Sequence, residues 1–289
     1  MNALCLFGNL RSPPNHAVLL NALRMAAVSQ CGLTILIDAY TRTLDHSYLD
    51  VLGFKSKLRE HVQQDADFYI ASTYDQLLTL IEDEQLDVIV SVECFLEPSW
   101  ERRLTDVLNE SGSEWLLLDY SKPTERHPIF SKLAKLPVSI LLMRDQKWKN
   151  KPVLLAALDP LHRHDRPATM DPSIVRIADA LSSRFTTGYK IVHCCHITPY
   201  LVKYAKQIMA IHSDALRKFR AMYKLDGVSV VLIPGNPEQQ LPEYARKARC
   251  DILVMGGFCR SSMSNFWLGS TTEAVVQAMP CDILLVKSD

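Results

Sequence analysis

The sequence predicts an α/β protein: two tandem, open, five-stranded parallel sheets with helices on both faces. Three observations carry that expectation. Apolar runs of strand length alternate with stretches of helical periodicity, the pattern of parallel strands buried on both sides. Three apolar segments recur in the same order in the two halves of the chain. Finally, 48% of the 289 residues are hydrophobic, enough for two domains with cores of their own.

The recurring segments set the organisation. ALCLFGN at 3–9 parallels VLLAALD at 153–159, LDVIVSV at 86–92 parallels CDILVMG at 250–256, and LPVSILLMRD at 136–145 parallels MPCDILLVKS at 279–288. On this pairing Asp87 to Pro137 spans 50 positions and Asp251 to Pro280 spans 29, so the first half carries 21 extra residues. They fall around 91–124, where SEWLLLDY suggests an added strand. The polar, proline-bearing RDQKWKNKP at 144–152 reads as a linker, dividing the chain into domains 1–147 and 148–289.

Within the second half, 153–158 is the first strand, and Asp171-Pro172 supplies an N-cap and a first-turn proline for a helix to about Phe185. Strand 190–197 follows. From Tyr200 to Tyr223, apolar residues recur every three or four positions, the mark of an amphipathic helix. VSVVLIP is the third strand, Asn236-Pro237 opens the next helix, and DILVM is the fourth strand. A helix from Gly269 to Ala278 then leads to the last strand, CDILLV. The closing strands 138–143 and 281–286 are apolar edges that a protein covers, and pairing them would make one chain an intramolecular pseudo-dimer.

Charge argues against several partners. Lys+Arg and Asp+Glu are both 32, so no basic footprint for nucleic acid or an anionic membrane is expected, and a small-molecule ligand fits better. The start MNALCLFGNLRSPPN lacks the pattern of a secretion signal, and no apolar run reaches the roughly 20 residues of a membrane span, so a cytoplasmic location is expected. In such a compartment the eight cysteines are expected to stay reduced. His193-Cys194-Cys195-His196 resembles a metal ligand set, but it lies in a strand and alternates between faces, so one tetrahedral ion cannot collect all four and no metal is expected. His162, His164 and Asp165 read as solvated loop residues.

The stretch GGFCRSSMSNFWLGSTTEAVV at 256–276 has the parts of a phosphate loop. Gly256 ends a strand, and Gly269-Ser270-Thr271 opens a helix whose N-terminal N–H groups suit an anion. Asp159, ending the first strand of the same half, can accept from a ribose or an adenine amine. Ligands in such sheets sit at the carboxyl ends of the strands.

Here the chain resembles the universal stress protein family, and specifically its tandem-domain members, on GGFCRS, LGSTTEAVVQAMPCDILLVK, STYDQLLTLIEDEQLDVIV and PVSILLM. The resemblance implies a Rossmann-like fold of the adenine nucleotide alpha hydrolase type. The family's ATP-binding signature, Gly, two residues, Gly, nine residues, Gly and Ser or Thr, has its spacing at Gly256, Cys259, Gly269 and Ser270. By the resemblance, Ala157, Leu158 and Asp159 would contact the nucleoside and His196 would border the adenine. Met255, Gly256 and Phe258 would line the loop, and Gly269, Ser270, Thr271 and Thr272 would hold the phosphates of ATP or AMP.

The chain also departs from the pattern. Cys259 replaces a glycine and would cost on the order of 1 kcal/mol if its φ were positive. In the first half, LDVIVSV runs into ECFLEPSWERRL with no glycine and with Glu93 and Glu97 where phosphates would go, and Asn9 stands for the aspartate. A weakened nucleotide site is therefore expected in the second domain and none in the first. The implied function is a non-catalytic stress-response protein with unnamed protein partners and a further homodimer as its assemblies. Alternatives are an interaction module that has lost its ligand and, third, an enzyme, for which no catalytic set is visible.

Overall fold

The computed structural model describes residues 3–10, 13–45, 50, 53–113, 115–121, 128–161, 167–257, 259–260, 266–267 and 269–287. It forms two compact units, Met1–Val138 with Met143–Lys147, and Ser139–Leu142 with Trp148–Asp289. The α/β class read from the alternation of strands and helices is the class observed. Among the described residues no helix is long and apolar enough to cross a membrane.

The first unit runs β1 (Ala3–Asn9), α1 (His16–Val28), β2 (Gly32–Asp38), α2 (Lys55–Glu84), β3 (Val90–Phe95), α3 (Trp100–Ser111) and β4 (Trp115–Asp119). The strands lie in the order β3-β2-β1-β4 and are parallel. β1 and β4 have fully apolar cores because both their faces are covered, so Leu6 and Leu117 are wholly buried. The expected fifth strand, β5 (Ser139–Met143), is counted almost entirely with the second unit.

This order corrects one of the paired repeats. LDVIVSV becomes β3, the outer strand beyond β2, whereas Ile252–Gly256 lies beside the first strand of its own unit. Its true counterpart is β4, so the strand in SEWLLLDY is no insertion and the count of 21 extra residues does not hold. Apolarity alone misled, because every strand of a sheet covered on both faces carries the same residue types.

The second unit runs β6 (Leu154–Ala157), α4 (Met170–Arg184), β7 (Tyr189–Cys195), α5 (Ala205–Met222), β8 (Ser229–Pro234), α6 (Pro237–Lys247) and β9 (Ile252–Gly256). A two-strand antiparallel ribbon follows, β10 (Cys259–Arg260) with β11 (Phe266–Trp267), then α7 (Ser270–Ala278) and β12 (Asp282–Val286). The order β8-β7-β6-β9-β12 is parallel, and β5 joins β12 antiparallel with Leu141 opposite Leu284. The pairing expected for the two closing strands is therefore present.

Local chemistry explains the boundaries. Asn236 caps α6 by accepting from the Glu238 N–H at 3.0 Å, with Pro237 in the first turn. α4 starts at Met170, earlier than Asp171-Pro172 suggested, because Asp171 is buried and its carboxylate accepts from the Asp159 N–H at 3.2 Å. The linker is anchored at Trp148, which is buried, meets Phe185 edge-on at 5.8 Å and donates its indole N–H to the buried Asp282 at 2.8 Å.

α5 departs furthest from expectation. Residues 199–204 form a 3-10 turn with nothing buried, and α5 buries only His212 and Leu216. Its periodic apolar residues Ile211 and Met222 stand exposed, so the periodicity identified the helix but not its packing.

Candidate functional site

The parallel register places the carboxyl ends of β6, β7 and β9 side by side in the second unit. Asp159 follows β6, His196 follows β7 and is exposed, and Met255 is buried at the end of β9. Ala157 and Leu158 are held in place by their backbone, Leu158 donating its N–H to Val192 at 3.0 Å. Phe258 lies outside the described residues, as do His162, His164 and Asp165.

Packing accounts for the two glycines at the end of β9. A Cβ on Gly257 would lie 2.9 Å from the Leu285 Cβ, and one on Gly256 would lie 3.1 Å from the Met170 sulfur. The Gly257 N–H also donates to Val286 at 3.1 Å, so the chain hugs β12 as it leaves the sheet. Cys259 sits in the extended ribbon β10, paired with Trp267. Extended backbone suits any residue, so the strain that a positive φ would impose on Cys259 does not arise.

Gly269 is the extended N-cap of α7, and Ser270 is exposed in the first turn. Thr272 is buried, and its hydroxyl donates to the Gly256 carbonyl at 2.9 Å, fastening the helix to the strand end. That leaves Ser270 and Thr271 as the hydroxyls at the helix opening.

A cleft of about 720 Å³ opens beside Asp159, walled by Pro160, Leu161, Ile211, Phe219 and Met222. Of the candidate ligand-binding residues that the structure describes, only Asp159 lines it. A buried pair that sequence reading missed lies near Asp159, with His193 Nδ1 3.9 Å from its carboxylate. His193, 1% exposed, faces the Leu158 carbonyl through Nδ1 at 2.9 Å and His212 Nδ1 through Nε2 at 2.7 Å. A carbonyl only accepts, so His193 Nδ1 carries the proton and, with both rings neutral, Nε2 accepts from His212. The rings stack at 4.9 Å and pin α5 to β7. One signal was available, since His212 falls four residues from both Ile208 and Leu216 on an otherwise apolar row.

In the first unit, continuing the β1–β4 register by one pair puts Asp119 where Gly256 stands in the second. Asp119 accepts from the N–H groups of Asn15 at 3.2 Å and Ser121 at 2.8 Å. A carboxylate spent on closing the start of α1 stands where the second unit has a glycine. Glu93, by contrast, lies on the outer strand β3 and pairs with Arg103 at 2.5 Å.

Cys5, Cys31, Cys94, Cys194, Cys195, Cys250 and Cys281 are free thiols, and no metal-holding cluster occurs among the described residues. Burial pushes the Cys5 thiol up to about 12, with Glu93 adding to it. It likewise raises Cys194 to about 12, helped by Asp159 and Cys195, and Cys94 to about 11. At pH 8 these three are protonated, and thiolate is the reactive form. A disulfide exchange reagent added to native protein is expected to leave all three unmodified, with rapid labelling only after denaturation. Mass spectrometry of the modified peptides decides it.

Residues 192–287 match the model of the universal stress protein family. The chain is 22% identical over 209 residues to a universal stress protein E homolog of Haemophilus influenzae, covering 65% of this chain and 68% of that one. To universal stress protein E of Escherichia coli K12 it is 24% identical over 178 residues, covering 58% and 55%. Thus the chain spans from just over half to about two thirds of the length of these relatives. In fold it is similar to a Pseudomonas aeruginosa PAO1 protein of unknown function, at a TM-score of 0.71 and 17% identity over 100% of this chain and 93% of that chain. A universal stress protein from Archaeoglobus fulgidus matches at 0.66 and 13% identity, over 98% of each. The fold is an α/β sheet protein of the Rossmann-like kind. Over residues 192–287 the chain is therefore similar to the universal stress protein family.

Proposed function

We propose that the chain is a cytoplasmic stress-response protein that acts by binding rather than by catalysis, with its second half, 148–289, taking an adenine nucleotide, ATP or AMP, weakly. One observation carries the reading: Asp159, the Gly256 strand end and the α7 opening at Gly269 and Ser270 all belong to the carboxyl edge of one parallel sheet. A nucleoside would meet Asp159, and phosphates would meet Ser270 and Thr271 at the helix N-terminus. The first half, with Asp119 in the corresponding place, is read as structural.

Thermal unfolding with and without millimolar Mg-ATP or Mg-AMP tests this. A ligand at 100 times its dissociation constant adds about 2.7 kcal/mol, so weak binding predicts a small positive shift that the double substitution Ser270→Ala, Thr271→Ala removes. Cys259→Gly is expected to bring no gain in stability, because the position is extended and glycine there loses about 0.5–1 kcal/mol. No shift with either nucleotide at millimolar concentration would sink the nucleotide reading.

A further inference from the structure

We infer that the outer face of α2 is a docking surface for a basic amphipathic helix of another protein, with Phe68 and Leu78 as apolar anchors inside a band of carboxylates. The face belongs to the first unit alone. α2 runs for 30 residues yet buries only Ala66, Thr73, Leu77 and Leu80. At about 100° per residue those four share one side of the helix, and Gln64, Phe68, Ala71, Asp75, Leu78 and Glu82 form a continuous row on the opposite side. All six are exposed, Phe68 at 77%. The solvent face of a helix is ordinarily polar. This one carries Phe68 and Leu78 in its outermost row, with the exposed Tyr74 beside them.

The charge around these side chains has one sign. Glu60, Asp65, Asp67, Asp75, Glu82 and Asp83 are exposed, and from Glu60 to Glu84 the helix carries no Lys or Arg. Glu84 is held by Arg24 at 2.5 Å and by Lys147 at 2.7 Å, but none of the six exposed carboxylates forms an ion pair among the described residues. Asp67 accepts from the neutral Gln63 amide at 2.8 Å and keeps its charge uncompensated. By the same rotation Asp65 and Asp83 flank the outer row on one side and Asp67 flanks it on the other. Glu82 and Asp83 also stand in the last turn, where the helix dipole disfavours anions and favours cations, and that turn holds no basic residue of its own.

The charge selects the occupant. Nucleic acid, an anionic membrane and the α2 face of a second copy would all be repelled. A helix with an apolar stripe flanked on both sides by Lys or Arg satisfies the row and its flanks together. Its apolar side chains cover Phe68 and Leu78, and its cations reach Asp65, Asp67, Asp75, Glu82 and Asp83. Phe68 and Leu78 lie ten positions apart, about 15 Å along the axis, so the partner helix must run for at least about three turns. In such a pairing the charges set partner choice and the rate of encounter, while the few covered apolar anchors supply most of the affinity.

The probe is a labelled synthetic helix of leucine and lysine, about five turns long with its leucines on one face, titrated with the full chain and followed by fluorescence anisotropy. Binding is expected at low salt and is expected to weaken as salt rises. Phe68→Ser with Leu78→Ser, and separately D67N/D75N/E82Q, are each expected to weaken it by more than about tenfold. The charge variant should also flatten the salt dependence. A peptide of the same composition with its leucines scattered around the helix is expected to bind the native chain more than about tenfold more weakly. Every replaced side chain is exposed, so both variants are expected to unfold at the temperature of the native chain. No binding at low salt, undiminished binding by either variant, or equal binding of the scattered peptide would each overturn the inference. So would self-association of the native chain in sedimentation velocity that Phe68→Ser with Leu78→Ser abolishes, which would give the face to a second copy.

Discussion

Replacing Trp148 by alanine is expected to destabilise the second unit by about 3–5 kcal/mol, the usual cost of deleting a large buried aromatic. The indole is 3% exposed and stands edge-on to Phe185. Its N–H donates to Asp282, itself 2% exposed at the start of β12. Alanine would therefore leave a cavity and also strip a hydrogen bond from a buried carboxylate, and the second loss adds to the first. Trp148→Phe separates the two: it fills most of the space, keeps the contact with Phe185 and removes only the donor, so it should cost about 1–3 kcal/mol. Urea unfolding of the three proteins gives the values. If Trp148→Ala proved neutral, residue 148 would be part of a free linker, as the polar run 144–152 first suggests.

Truncating Leu284 to alanine is expected to cost about 2–5 kcal/mol. The side chain is fully buried and pairs across the antiparallel ladder with Leu141, which is fully buried as well. The range is wide because the cost depends on how far the neighbours collapse into the space, and β-strands held on both sides collapse little. Lys287 should report the same event locally, since its N–H donates to the Ser139 hydroxyl at 3.0 Å across the β5–β12 pair. Amide exchange at Lys287 is expected to quicken in Leu284→Ala in step with the lost stability. A full loss of stability with no change at Lys287 would mean that β5 is held by something other than this ladder.

Strands were legible in this sequence wherever they lie in the middle of a sheet. Leu253–Met255 and Ile283–Val286 are apolar at every position because both faces are covered, and such runs have one reading at their length. Strand order was not legible, because LDVIVSV and WLLLD carry the same signal though one is an outer strand and the other lies beside β1. Helix α5 shows a second limit: periodicity reports that a stripe exists, and the apolar residues Ile211 and Met222 on it are exposed all the same. At the candidate site the glycines were visible but their reason was not. Gly257 answers to Leu285, a residue 28 positions away that no local pattern connects to it. The His193–His212 pair was hidden in the same way, two titratable rings brought within 2.7 Å by a strand and a helix 19 residues apart.

The β5–β12 ladder also bears on how the chain is made. Leu142 and its partner Ile283 are 283 − 142 = 141 residues apart in sequence. At roughly 5–20 residues added per second, β5 leaves the ribosome about 7–28 s before the strand it pairs with. Over that interval the strand Ser139–Met143, apolar from Ile140 to Met143, has no β12 to lie against. Closing so long a loop is also slow, since the entropy of joining distant segments is lost before their contact is gained. The nascent first half therefore carries an adhesive edge for many times longer than a helix or hairpin needs to form. Chains paused or released between residues 147 and 280 are the species from which aggregates of this protein would grow.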